Sequence, residues 1–263
     1  MTGGPLLSAE RLSLRYAGAA RPVFDDVDLA VGPGEVVTVI GPSGAGKSSL
    51  LRVLGGLQAP SGGAVFMRGS HLDGPDPRVA FAFQSPGLLP WLNLERNVAF
   101  GLDFKRQPRL DRSQIQARVD AAIAEVGLSH ARTLRPAALS GGMAQRAALA
   151  RCLARQPEAL LLDEPFGALD EVTRGEMQEL LLKLVADLGT AVVLVTHDID
   201  EALLLSDRVV LLGGRPARPI GSWEIEFPHP RHDLVAELGA IRVDILSALR
   251  GLRSRKREPD YVI

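Results

Sequence analysis

The stretch that decides the fold is Gly41-Pro42-Ser43-Gly44-Ala45-Gly46-Lys47-Ser48. It follows the pattern G-x-x-x-x-G-K-[ST], in which glycines let the loop curl and point successive backbone N–H groups at an anion. Lys47 supplies a cation for the β- and γ-phosphates of a nucleotide, and the Ser48 hydroxyl is a ligand for Mg²⁺. The pattern therefore predicts a phosphate-binding loop, with the adjacent Ser49 among its nucleotide contacts.

The residues on both sides of this loop agree with that prediction. Residues 36–40 have the pattern of a short buried strand, and residues 48–57 have the pattern of a helix. The N-terminus of such a helix adds its dipole to the binding of an anion. A purely structural glycine-rich turn is the alternative, but it gives Lys47 no purpose.

Composition places the chain among ordinary soluble globular proteins, with 46% hydrophobic and 23% charged residues among 263. The net charge of −1 does not suggest a nucleic-acid surface. The single cysteine, Cys152, excludes an internal disulfide, and we expect a buried, inert thiol in a reducing compartment. The chain has neither a long apolar span nor a secretion-signal pattern, so we expect it to stay in the cytosol.

The order of predicted elements favours an α/β fold with a parallel sheet. Strands are expected at residues 12–16, 27–31, 64–68 and 79–83, and later at 159–162, 191–195 and 208–212. Helices are expected within 93–139, at 141–155, 170–188 and 234–252, and a hairpin between residues 215 and 227.

These elements predict the organisation of the chain. We expect a nucleotide-binding domain over residues 1–227, made of a P-loop NTPase core with a parallel sheet, β-structure in its first forty residues and an α-helical subdomain inserted at about residues 93–155. Residues 228–263 are expected to form a C-terminal helical extension with a basic tail at residues 253–257.

Four polar residues follow predicted strands and are candidates for the chemistry of the site. Asp163 and Glu164 end the apolar run 159–162. Asp163 is suited to hold Mg²⁺, and Glu164 to polarise a water aimed at the γ-phosphorus. His197 follows the run 191–195 and can orient that water, although a lone histidine is more often satisfied locally. Gln84 places an amide where it can contact both Mg²⁺ and water.

A second anion-binding device is predicted at Leu139-Ser140-Gly141-Gly142-Met143. Ser140 caps a helix N-terminus, and Gly141 and Gly142 leave its N–H groups open to a phosphate. The alternative is an ordinary capped helix whose glycines serve close packing.

Taken in their order along the chain, the motifs resemble those of the ATP-binding-cassette (ABC) ATPases over roughly residues 6–225. The phosphate loop matches their Walker A motif, residues 139–143 their LSGGQ signature with Met143 in place of Gln, and residues 160–164 their Walker B motif. Further matches are Gln84 (Q-loop), Asp170 (end of the D-loop), His197 (H-loop) and Tyr16 (the adenine-stacking A-loop). The six motifs other than the A-loop stand in the family's order, which is far more specific than any one of them. The resemblance also implies that the N-terminal β-structure is an antiparallel subdomain of the P-loop NTPase core.

Residues 85–91, 140–143, 166–170 and 228–231 are similar to the nitrate/sulfonate/taurine branch of bacterial importers. Ala144 departs from many relatives, which carry Arg there. The resemblance implies an ATP-hydrolysing subunit, using ATP and Mg²⁺, that powers a membrane importer for an aliphatic sulfonate, taurine or nitrate. It also implies a peripheral location on the cytoplasmic face of the inner membrane.

The resemblance implies three partners and no nucleic acid. A second copy of the chain sandwiches ATP against Ser140, Gly141 and Gly142. A transmembrane permease docks on the loop 84–91 and the helical region after it, and an exported solute-binding protein acts indirectly.

Two alternatives stay open at this point. One is a soluble cassette ATPase of DNA repair or translation, although repair types carry a long coiled-coil insertion where this chain has 55 residues, 85–139, and translation types carry two cassettes. The other is an unrelated P-loop module such as a GTPase-like switch, which leaves Ser140 and His197 unexplained.

Overall fold

The computed structural model describes residues 4–255, so the end of the predicted basic tail lies outside the described residues. The described chain contains ten strands: β1 (Leu7–Leu14), β2 (Phe24–Val31), β3 (Val36–Ile40), β4 (Gly62–Met67), β5 (Ser70–His71), β6 (Val79–Ala82), β7 (Ala159–Asp163), β8 (Ala191–Val195), β9 (Arg208–Gly214) and β10 (Ala217–Glu224). It also contains seven α-helices: α1 (Lys47–Leu54), α2 (Leu94–Ala99), α3 (Arg112–Glu125), α4 (Gly141–Leu153), α5 (Glu171–Leu188), α6 (Ile199–Leu205) and α7 (Val235–Arg255).

All ten described strands join one sheet in the order β5-β4-β1-β2-β10-β9-β3-β8-β7-β6. The five strands β9, β3, β8, β7 and β6 pair in parallel. The N-terminal strands β1, β2, β4 and β5 pair antiparallel, and β10 links the two parts. The predicted α/β fold, with a parallel core and an antiparallel N-terminal part, is confirmed.

The register of the parallel strands brings three functional loops to one edge of the sheet. Val195 at the end of β8 lies opposite Val39 of β3 on one side and Asp163 of β7 on the other. Because parallel strands end at the same edge, the segments that follow β3, β7 and β8 meet there. Each of these strands is buried along its whole length, so its end is held firmly.

Helices cover both faces of the sheet. Helices α2, α3 and α4 pack against one another and share one apolar core with β6, β7 and β8. Cys152 of α4 lies in that core, which confirms its predicted burial, and this burial raises the pKa of the thiol to about 11. Helix α7 packs against α6, β9 and β10. Among the described helices, none combines the length and apolarity needed to cross a bilayer.

The structure corrects several predicted boundaries. Strand β1 ends at Leu14, so Tyr16 lies in the loop after it rather than within a strand at 12–16. The region 215–227 holds a single strand, β10, which pairs back on β9 instead of forming its own hairpin. The helical stretch expected from residue 93 is interrupted after the six residues of α2, where Gly101 takes a positive φ of 93°. Helix α6 was not predicted, because seven residues show too little periodicity.

Candidate functional site

The phosphate loop connects β3 to α1, as predicted. Gly46 caps α1 with a positive φ of 84°, and a Cβ there would lie 2.5 Å from Cγ1 of Val23, so only glycine fits. The loop lines a cleft of about 350 Å³, formed by Val23, Ser43, Gly44, Ala45, Gly46, Lys47, Ser48, Ser49 and Glu164. Val23 is a wall of this cleft that sequence reasoning missed, since nothing in its local pattern distinguishes it from other β-branched residues.

Lys47 lies across the loop with its ammonium group close to backbone oxygens. Its Nζ donates to the carbonyl oxygens of Gly41 at 2.9 Å and Pro42 at 3.3 Å. Burial lowers the pKa of Lys47, while the charges of Glu164 and Asp163 act in the opposite direction. Phosphate oxygens are stronger acceptors than these two carbonyls, so the lysine is placed to exchange them for a nucleotide.

Ser48 and Asp163 form the oxygen-rich corner of the cleft. The Ser48 hydroxyl donates to Oδ1 of Asp163 at 3.0 Å. Burial raises the pKa of Asp163, and the hydrogen bond from Ser48 counteracts that shift. A hydroxyl and a carboxylate are the hard ligands that Mg²⁺ prefers. Among the described residues, no three or more His, Cys, Asp or Glu side chains are grouped so that they could hold a metal ion by themselves.

Glu164, Gln84 and His197, predicted from three separate strands, meet at one carboxylate. Nε2 of Gln84 donates to Oε2 of Glu164 at 3.1 Å, and Nδ1 of His197 lies 3.3 Å from Oε1. Glu164 has a positive φ of 47°, which is strained for a non-glycine residue. Its backbone N–H donates to the oxygen of Val195 at 2.8 Å, which holds that conformation.

Tyr16 stands beside the phosphate loop. Its hydroxyl and the hydroxyl of Ser49 are hydrogen-bonded at 3.0 Å, and the residue as a whole is 44% exposed. An exposed aromatic face next to the loop is suited to stacking against a nucleotide base.

The second predicted anion-binding device lies outside this cleft. The Ser140 hydroxyl accepts from the backbone N–H of Met143 at 3.2 Å and caps α4, and both Ser140 and Gly141 are exposed. A Cβ at Gly142 would lie 3.3 Å from Cδ2 of Leu169, and Asp170 caps α5 by accepting from the Thr173 N–H at 3.0 Å. The described residues that line the cleft of the phosphate loop do not include Ser140, Gly141 or Gly142.

Two residues that sequence reasoning missed fix the loop that follows Gln84. Asn97 of α2 is fully buried; its amide oxygen accepts from the Leu89 N–H at 2.7 Å and its Nδ2 donates to the Leu89 oxygen at 3.1 Å. Arg151 of α4 donates to the oxygens of Gly87 at 2.9 Å and Pro86 at 2.8 Å. The helix that starts at Ser140 therefore holds the loop that starts at Gln84. No local sequence signal marks either residue.

A family model described as ABC transporter matches residues 24–167, more than half of the chain. The chain belongs to the ABC transporter family. The match spans the phosphate loop, the Ser140 segment and the Asp163–Glu164 pair. The GTPase-like alternative is therefore excluded, and the chain is an ABC ATPase.

Relatives of this ABC ATPase carry importer names. It is 47% identical over 251 residues to "Aliphatic sulfonates import ATP-binding protein SsuB 1" of Xanthomonas axonopodis pv. citri (strain 306), covering 94% of this chain and 99% of that protein. It is 49% identical over 212 residues to "Taurine import ATP-binding protein TauB" of Chromobacterium violaceum, covering 81% and 80%. The dimeric ATP-binding cassette MJ0796, solved in a post-hydrolysis state with ADP and Pi, superposes with a TM-score of 0.76 at 29% identity, covering 84% of this chain and all of that one.

Proposed function

We propose that this chain is the ATP-hydrolysing subunit of a membrane importer for a small oxyanion-type solute. The convergence of Gln84 and His197 on the Glu164 carboxylate, beside the phosphate loop, carries the hydrolytic part of the proposal. The importer part is supported by the names of its relatives, which favour a transporter subunit over a soluble cassette ATPase.

The reaction follows from the roles of the chain's own residues. The phosphate loop and Lys47 hold the β- and γ-phosphates, and Tyr16 stacks on the base. Glu164 accepts a proton from a water whose oxygen attacks the γ-phosphorus, while the bond to the bridging oxygen breaks and releases ADP and phosphate. His197 and Gln84 orient that water and the carboxylate.

Ser48, Asp163 and Gln84 are the residues that would hold Mg²⁺. Their hydroxyl, carboxylate and amide oxygens suit this ion, and the pairing of Ser48 with Asp163 already brings two of them together. When bound, Mg²⁺ neutralises the charge on the phosphate oxygens.

A second copy of the chain completes the site. In this proposal Ser140, Gly141 and Gly142 of one copy face the γ-phosphate held by the phosphate loop of the other, and Asp170 lies at the same interface. The exposure of Ser140 and its position outside its own cleft support this arrangement, because a helix N-terminus attracts phosphate. The dimeric state of the MJ0796 cassette is consistent with it.

Ser140→Arg tests this composite site. We expect ATP hydrolysis to fall by about 100-fold or more, since the variant removes a helix cap and blocks the donors aimed at the γ-phosphate. ATP affinity of the monomer, measured by calorimetry, should stay within about twofold of wild type. Ser113→Arg, at another exposed serine near a helix start, is the matched control and should hydrolyse ATP normally. Full activity of the Ser140 variant would argue against a site shared by two copies.

A groove beside the Gln84 loop is the proposed dock for the permease. The aromatic groove, of about 720 Å³, is walled by Phe83, Phe100 and Phe104 and edged by basic residues that include Lys105 and Arg151. Rings of Phe100 and Phe104 meet edge to face at 5.1 Å, and Phe104 is 53% exposed. Exposed aromatic side chains grouped in one groove are typical of a binding surface.

Phe104→Asp tests the groove. We expect this variant to hydrolyse ATP as a free subunit but to lose co-purification with the permease, because a carboxylate in the groove opposes apolar docking. Leu188→Asp places the same charge on another exposed apolar residue, at the end of α5, and should leave co-purification unchanged. Retention of the permease by the Phe104 variant would contradict this assignment.

The solute is proposed to be an aliphatic sulfonate or taurine, as the names of the relatives suggest, with nitrate as the third candidate. An exported solute-binding protein would select it, and the subunit would lie on the cytoplasmic face of the inner membrane. We propose the division into a nucleotide-binding domain up to residue 227, with its helical insertion, and a C-terminal extension. Uptake of taurine, an alkanesulfonate and nitrate by the assembled complex, measured separately and in competition, tests the proposed class of solute. A complex that transports none of the three would overturn that proposal.

A further inference from the structure

Helix α6 begins at Ile199, two residues after His197, so the position of the helix sets the position of the His197 backbone. Strand β8 ends at Val195, and Asp198 caps α6 by accepting from the N–H groups of Asp200 at 2.9 Å and Glu201 at 3.2 Å. The His197 side chain is 70% exposed, so little side-chain packing fixes the imidazole. Its position against Glu164 depends on where α6 lies.

The segment that follows β10, here called the C-terminal arm (residues 227–252), holds the far end of α6 through a buried arginine. Arg231 is 2% exposed, and its Nη1 donates to the oxygens of Leu203 at 3.0 Å and Ser206 at 2.6 Å. Its remaining groups donate to Ile225 at 3.1 Å and Phe227 at 2.8 Å. A cation at the carbonyl end of a helix is favourable, so Arg231 ties the end of α6 to the arm.

The arm also holds the first turn of α6. Arg242 of α7 donates to both carboxylate oxygens of Asp200, with Nε at 2.6 Å and Nη2 at 3.3 Å. Asp200 lies three residues after His197. A two-point contact between a planar guanidinium and a carboxylate fixes direction as well as distance.

Apolar packing joins these two ends. Ala202 and Leu203 of α6 are buried in the same apolar cluster as Leu238 and Ile245 of α7. The arm therefore contacts α6 at its start, along its length and at its end.

We propose that the C-terminal arm is a positioning element for His197. Through Arg242 at one end of α6 and Arg231 at the other, it sets the backbone that presents the imidazole to the Glu164 carboxylate. The inference rests on the proposed role of His197 in hydrolysis and extends it to residues that do not touch ATP.

The test uses the full-length chain and the Arg242–Asp200 pair. We expect Arg242→Ala and Asp200→Asn each to lower kcat for ATP hydrolysis about three- to fivefold, which corresponds to the energy of an exposed but well-oriented ion pair. The KM for ATP should change less than about twofold. The double variant should fall no further than either single one, because both remove the same contact. The exchanged pair Asp200→Arg with Arg242→Asp should recover most of the lost kcat.

Arg68→Ala is the matched control. It removes an exposed arginine–carboxylate contact, Arg68 to Glu158 at 2.5 Å, away from α6, and should leave kcat unchanged. Thermal unfolding of Arg242→Ala and Arg68→Ala separates a general loss of stability from a loss of kcat. Arg231→Lys keeps a cation but not the four carbonyl contacts, and we expect it to lower kcat more than Arg242→Ala does. If the Arg231 variant does not fold, the variants of the Arg242–Asp200 pair decide the question.

Wild-type kcat in both Arg242→Ala and Asp200→Asn overturns the proposal, as does an equal loss in Arg68→Ala. His197→Ala separates this failure from a failure of the proposed function. If His197→Ala loses hydrolysis while the Arg242 variant does not, only the role of the arm is wrong. If His197→Ala hydrolyses ATP normally, the role of His197 itself is wrong.

Discussion

Glu164→Gln is expected to lower the rate of ATP hydrolysis by about 100- to 10,000-fold, the range that a positioned general base contributes. The substitution keeps the shape of the side chain and its contact with Gln84, but it removes the group that accepts the proton of the attacking water. ATP affinity should be retained, because Glu164 forms one wall of the cleft and does not contribute the phosphate-binding amides. Single-turnover hydrolysis and calorimetry measure the two effects separately.

The same variant should accumulate as an ATP-dependent dimer, since closure no longer leads to hydrolysis and reopening. Size-exclusion chromatography with and without ATP detects that species. Glu179→Gln makes the same chemical change at an exposed position of α5 and should behave as wild type in both assays. Normal turnover by the Glu164 variant would remove this residue from the role of base and leave the proposed reaction without a proton acceptor.

Lys47→Ala is expected to weaken ATP binding by about 10- to 100-fold, the amount that one hydrogen bond to a charged group contributes. The loss arises because no other cation of the described chain lines the cleft. Hydrolysis should fall at least as far, since the lysine also neutralises charge on the γ-phosphate. Calorimetry with a non-hydrolysable ATP analogue gives the affinity without the complication of turnover.

Lys47 also donates to the loop carbonyls of Gly41 and Pro42, so the variant is checked for folding by thermal unfolding. Lys47→Met keeps most of the aliphatic chain and separates the loss of charge from the loss of packing. Lys183→Ala removes an exposed lysine that pairs with Glu125 and should bind ATP normally. Unchanged affinity in both Lys47 variants would contradict the assignment of the phosphate site.

Much of the fold followed from local patterns in the sequence. The buried strands at residues 36–40 and 191–195 were predicted with the bounds that β3 and β8 have, since short, mostly apolar runs bounded by polar residues or glycine mark fully buried strands. The cap at Ser140 was also predicted, because capping depends on residues only three positions apart. Short or irregular elements such as α6 and the end of β1 were missed, since they offer too few residues for a period.

For the candidate site, too, local sequence patterns predicted some features and missed others. The residue types and their order along the chain identified the phosphate loop, the two acids, the glutamine and the histidine, because each motif is a local device. Their meeting at the Glu164 carboxylate depends on the order of the strands in the sheet. Gln84 and Glu164 are 80 positions apart, and no local pattern gives the distance between them.

By itself the sequence determined the family, the fold class and the short segments that present the candidate site residues, since phosphate loops, caps and buried strands depend on near neighbours. Only the tertiary structure decided how those segments meet. Packing of the whole sheet brought Glu164, Gln84 and His197 together, buried Arg231 against four carbonyls, and set α7 against α6. These contacts join residues far apart in the chain, and their stability comes from burying apolar surface across several elements at once.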